Sequence, residues 1–93
     1  MARIDVERID DKTFRVTVSE RGGRTMHTVT VDSADYQRLT SGAVPTEELV
    51  RKSFEFLLER EPKESILSSF TLSVISRYFP EYEGEITRRL KRT

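Results

Sequence analysis

The hydrophobic period of this chain changes once, near residue 32, and that switch limits the folds open to it. Before it, apolar side chains recur at every second position; from Glu47 onward they recur every third or fourth. Residues 1–32 therefore read as strands and residues 47–92 as helices. Strands first and helices after indicate an α+β domain, with helices laid on one face of an antiparallel sheet.

Each strand has one apolar and one polar side. Ile4 and Val6 alternate with Arg3, Asp5 and Glu7, and Phe14, Val16 and Val18 with Arg15, Thr17 and Ser19. His27, Val29 and Val31 alternate with Met26, Thr28 and Thr30. Such alternation suits a sheet covered on one face. Gly22-Gly23 fits the centre of a two-residue primed turn, where both residues need positive φ. That turn pairs Arg21 with Arg24 and places Val18 opposite His27, Val16 opposite Val29 and Phe14 opposite Val31. A one-residue slip would set Val16 against a threonine and break the agreement. Around Asp10-Asp11-Lys12 an odd-length loop, of three or five residues, pairs Val6 with Val16 and Ile4 with Val18. The expectation is a three-stranded meander, order 1-2-3, with strands 1 and 3 as edges, followed by three to four short helices packed on one sheet face.

In the connector, residues 33–45, a short helix over 34–39 is capped by Asp32 or Ser33 and has only Tyr36 and Leu39 on its apolar side. Thr46 is the expected N-cap of the best helix, residues 47–60, with Glu47 and Glu48 at the positive end of its dipole. At ~100° per residue, Phe56, Leu49, Leu57, Val50, Phe54 and Leu58 span an arc of roughly 200°. So wide an arc exceeds what one sheet contact needs. The helix is either held between the sheet and the later helices, or it presents Leu49 and Phe56, at one margin of the arc, to a second copy of the chain. Pro62 begins a short turn presenting Ile66, Leu67 and Phe70. Thr71 then caps a helix over 72–79 with Leu72, Val74, Ile75, Tyr78 and Phe79 on one side, and Pro80 forces a break. The last helix, residues 81–91, carries the thin stripe Tyr82, Ile86 and Leu90.

Ninety-three residues make one domain, read as residues 1–93 with a strand half, a connector and a helical half over 46–92. Sixteen basic residues cancel sixteen acidic ones, and each half of the chain balances on its own, so bulk charge nominates no partner. The absence of cysteine excludes disulfides and thiolate chemistry and fits a reducing compartment. The N-terminal residues lack the apolar core of a secretory signal, and no apolar run approaches the ~20 residues of a membrane span. These features point to a cytoplasmic protein.

Few residues could carry chemistry. His27 is the single histidine, which excludes a multi-histidine metal site within one chain, and it reads as a partly buried structural residue near the hairpin end. Asp10-Asp11 suits a turn better than a cation site. Asp5 and Glu7 share a strand face, but nothing accompanies them to form a sugar cleft. No catalytic residue, metal ligand set or cofactor-binding residue stands out. The run Arg88, Arg89, Lys91 and Arg92 follows Glu81, Glu83 and Glu85, an order that the helix macrodipole favours. The same run could touch phosphate, although no aromatic residue or groove-reading motif accompanies it.

The stretch over residues 53–67, together with Tyr78-Phe79-Pro80-Glu81-Tyr82-Glu83, resembles a small prokaryotic family of uncharacterised proteins. The resemblance covers the helical half and implies a bacterial or archaeal protein. It transfers no activity and no site residue. The functional expectation is a non-catalytic cytoplasmic binding or assembly module that self-associates as a homodimer. The alternative is a nucleic-acid accessory protein using the basic C-terminus with Arg15, Arg21 and Arg24.

Overall fold

A computed structural model of the chain describes residues 2–91. Strands β1 (Arg3–Arg8), β2 (Thr13–Glu20) and β3 (Gly23–Thr30) come first, followed by helices α1 (Ser33–Thr40) and α2 (Thr46–Leu58). A 3-10 turn at Lys63–Ser65 leads to a short strand β4 (Ser69–Thr71), then to α3 (Val74–Tyr78) and α4 (Tyr82–Lys91). The fold is α+β, as the period switch implies. No helix among the described residues is long and apolar enough to cross a membrane.

The sheet is mixed, and this corrects the three-stranded antiparallel meander. It has four strands in the order β1-β2-β3-β4, with β4 parallel to β3, so β4 replaces β3 as the second edge. A parallel neighbour needs a long crossover. Here residues 31–68 supply it and carry α1 and α2 across the sheet. Three residues are too few to show a period, so Ser69-Phe70-Thr71 is silent as a strand in the sequence.

The β1–β2 register is the expected one, with Ile4 opposite Val18 and Val6 opposite Val16. The β2–β3 register differs by two residues. Glu20 pairs with Gly23, and the turn centres on Arg21-Gly22, at φ 55° and 79°. His27 consequently faces Val16, and Val29 faces Phe14. A shift of two keeps every side chain on its face, because the strand period is two. Gly22 is the glycine whose left-handed φ matters, whereas Gly23 is the first residue of β3. A Cβ on Gly22 would meet nothing within 4 Å, and one on Gly23 would meet Lys63 at 3.7 Å, an ordinary contact. Gly22→Ala should therefore lose about 1–2 kcal/mol to backbone strain alone, and Gly23→Ala should be neutral or slightly stabilising. Urea midpoints of the two variants check this; the reverse ranking would move the turn centre to Gly22-Gly23.

The inner face of the sheet contributes Ile4, Phe14, Val16, Val18 and Val29 to the core, and α2 contributes Leu49, Val50, Phe54, Phe56 and Leu57. Helix α4 covers the other side of α2, burying Tyr82, Ile86 and Leu90. The thin stripe of α4 is thus a full core contributor. Ser53 Oγ donates to the Leu49 carbonyl at 2.8 Å and lies 2.6 Å from the Tyr82 hydroxyl, which then donates to it. Burial pushes the Tyr82 hydroxyl well above its usual ionisation range, so it stays neutral and keeps that bond. Helix α1 is more than a connector: Leu39 is buried, the Tyr36 hydroxyl donates to the Val44 carbonyl at 2.5 Å, and Arg38 bridges to Glu83 of α4 at 2.7 Å.

Two helix boundaries also differ from expectation. Thr46 is the first residue of α2 and follows Pro45, which takes the cap position. Thr71 belongs to β4, and the helix expected over 72–79 shrinks to the five residues of α3. The break before Pro80 is present: Phe79 leaves helical geometry at φ −133° and ψ 89°.

Candidate functional site

The residues singled out as a possible interface lie in the interior. Leu49 and Phe56 are both 0% exposed within one chain, so neither presents surface to a second copy. Phe56 is enclosed by Phe79 and Tyr82, with ring centroids 5.9 and 5.3 Å away, and by the Arg60 guanidinium 3.7 Å above its ring. Of the two ways to cover the wide arc of α2, the chain uses its own later helices.

The basic C-terminus is largely engaged with carboxylates. Arg88 bonds Glu85, and Arg89 bonds Glu59 at 2.6 Å and Glu85 at 3.4 Å while lying 5.8 Å from the Phe56 ring. The hydrogen bond from Arg89 holds the Glu59 carboxyl below its ordinary range. Phosphate would have to compete with these partners. Lys91 is exposed, and Arg92 lies outside the described residues. On the hairpin, Arg15 bonds Glu7 at 3.5 Å.

The remaining candidate groups have local work. His27 is 3% exposed and sits in mid-strand, deeper than the hairpin-end position expected for it. Its Nδ1 lies 2.8 Å from the Leu67 carbonyl and its Nε2 2.8 Å from Thr25 Oγ1. The carbonyl can only accept, so Nδ1 donates to it, while the hydroxyl of Thr25 can serve Nε2 as donor or acceptor. Both ring nitrogens are therefore used, and the ring ties β3 to the segment preceding β4. Asp10 accepts from the backbone amides of Lys12 and Thr13, both at 2.9 Å, which makes it the organiser of the β1–β2 turn. Asp5 bonds Arg3 on the outer sheet face, as Glu7 bonds Arg15.

A feature that the sequence reading did not single out lies beyond the end of α2. Leu57, Ile66, Leu67, Phe70, Val74, Ile75, Tyr78 and Phe79 line a hollow of about 410 Å³, with Glu61 and Ser65 as its polar members. Its origin is local. Pro62 follows the end of α2, the 3-10 turn points Ile66 inward and Leu67 outward, and α3 is too short to close the gap. Leu67 is 47% and Tyr78 67% exposed at the rim. This corrects the expectation that Tyr78 belongs to the buried side of its helix. The exposed apolar positions Leu67 and Tyr78 were visible in the sequence, but nothing local separates them from the buried positions beside them.

No family model matches the chain, and neither a curated protein nor a solved structure matches it.

Proposed function

We propose that this protein is a non-catalytic cytoplasmic binding or assembly module that contacts protein through the hollow between the 3-10 turn, β4 and α3. One observation carries this reading: an apolar concavity of about 410 Å³ is left unfilled by the chain and is rimmed by the exposed side chains of Leu67 and Tyr78. Concave, mostly apolar surface with few polar groups is the usual form of a ligand-binding site, and apolar residues gathered on an open surface mark interaction faces. The engagement of His27 through both ring nitrogens supports a role without acid–base chemistry. The pairing of Arg88 and Arg89 with carboxylates gives the nucleic-acid alternative no support.

Indole, a small neutral aromatic, serves as the probe. Titrated into isotope-labelled protein, it should shift the amide resonances of Leu67, Phe70, Val74 and Tyr78 and leave the outer sheet face unmoved. Val74→Arg, which sets a long side chain into the half-buried wall, should remove those shifts. Shifts elsewhere, or none, would overturn the reading.

A further inference from the structure

We infer that the partner occupying this hollow is a second copy of the same chain, with Tyr78 of each protomer entering the hollow of the other and Arg77 reaching Glu61 across a two-fold axis. The inference rests on the reading of the hollow as a contact face and adds the identity of its occupant. A two-fold interface uses one patch twice, so that patch must be complementary to itself. This one carries both a projection and a receptacle. Tyr78 stands 67% exposed on the rim of the cavity it helps to line.

The charges have the same self-complementarity. Glu61 lines the hollow and Arg77 is exposed beside Tyr78 on α3, and neither has an ion pair within the described residues. Arg38 holds Asp35 and Glu83, Arg60 holds Glu81, and Arg89 holds Glu59, while Arg21 and Arg24 on the hairpin share with Arg77 the lack of an ion pair among the described residues. A foreign partner would need to bring one cation and one anion in a matching order, whereas a second copy supplies both. Opposite charges on one patch draw two identical faces together, where a patch of single sign would repel its own image. The chain as a whole has a formal net charge of zero, so no long-range repulsion opposes the encounter.

The face differs from the one the wide arc of α2 suggests, since Leu49 and Phe56 are enclosed. It is also small. A stable interface buries about 800 Å² on each partner, and a single hollow with two rim residues falls short of that, so the dimer should be weak and concentration-dependent.

Sedimentation velocity of the full chain tests the proposal. The weight-average sedimentation coefficient should rise from monomer toward dimer between about 10 µM and about 1 mM, the range expected of a sub-standard interface. Tyr78→Ser, at a position too exposed to hold the core, should leave the protein folded and monomeric across that range. Glu61→Arg alone and Arg77→Glu alone each place like charges face to face and should weaken association at least tenfold. The two together should restore it to within a few-fold of wild type. A double variant as weak as the single ones would overturn the two-fold geometry, and a dimer indifferent to Tyr78→Ser would place the interface elsewhere. A monomer at 1 mM in which indole still enters the hollow would remove the second copy as occupant and keep the contact face. A monomer that also ignores indole would remove both.

Discussion

Val16→Asp is expected to abolish folding, while Thr17→Lys, one residue along the same strand, leaves stability nearly unchanged. Val16 is fully buried in the centre of β2, between Val6 on β1 and His27 on β3, and belongs to the same core cluster as the buried face of α2. A carboxylate there finds no free partner: His27, across the strand pair, already uses both ring nitrogens on Thr25 and the Leu67 carbonyl, and buried Lys63 is bonded to Glu64. Burying it, or protonating it to avoid burying the charge, costs several kcal/mol. A domain of this length has a total stability of about 5–10 kcal/mol, so that loss consumes most or all of it. Thr17 lies on the outer face, opposite Asp5 on β1 and Met26 on β3. Lysine at that position meets the Asp5 carboxylate across the strand pair, whereas Thr17→Asp would set like charges opposite each other and lose up to about 1 kcal/mol. Circular dichroism with urea titration separates the three variants. If Val16→Asp and Thr17→Lys melt alike, the assignment of the two sheet faces is wrong.

The face assignment was legible in the sequence because it depends only on parity. Ile4, Phe14, Val16, Val18 and Val29 can be placed on the inner face without knowing which residue pairs with which. The β2–β3 register was not legible, for the same reason: moving the turn from Gly22-Gly23 to Arg21-Gly22 shifts the pairing by two and leaves each side chain on its face. The arrangement that goes with the observed register includes the bond between His27 and the Leu67 carbonyl, 40 residues away. A local pattern holds no trace of such a contact. Strand β4 escaped notice because its three residues pair in parallel with β3 and are placed by the crossover. In the helical half, the width of the apolar arc of α2 was legible, but its covering was not. Arg60 and Arg89 read as solvated cations in a linear sequence, yet their guanidinium groups lie against Phe56 while their charges face Glu81 and Glu59. The hollow was the least legible of all. It is a place that short elements fail to fill, and its rim residue Tyr78 occupies a helix position indistinguishable by spacing from buried Ile75.

Phe56→Ala should lower stability by about 3–5 kcal/mol, the range for removing a fully enclosed phenyl ring. At roughly 4–8 °C per kcal/mol for a domain of this size, the melting temperature should fall by about 12–40 °C. The ring is 0% exposed and meets Phe79 and Tyr82 edge-on, at interplanar angles of 80° and 70°, so its loss leaves a cavity where α2, α3 and α4 converge. Those edge-to-face contacts contribute beyond area burial. The cations above the ring make a smaller contribution. Arg60→Ala should cost about 1 kcal/mol, from the lost cation–π contact at 3.7 Å and a partly exposed ion pair with Glu81. Phe56→Leu, which keeps most of the volume, should fall between the two. Thermal melts of the three variants, each with sedimentation at the same concentration, decide between a core residue and an interface residue. A core Phe56 gives the ranking Ala, then Leu, then the arginine variant, with association falling only as folding fails. A Phe56→Ala protein that melts like wild type and loses only its dimer would show that the ring faces a second copy, and the enclosure of α2 by α3 and α4 would then be wrong.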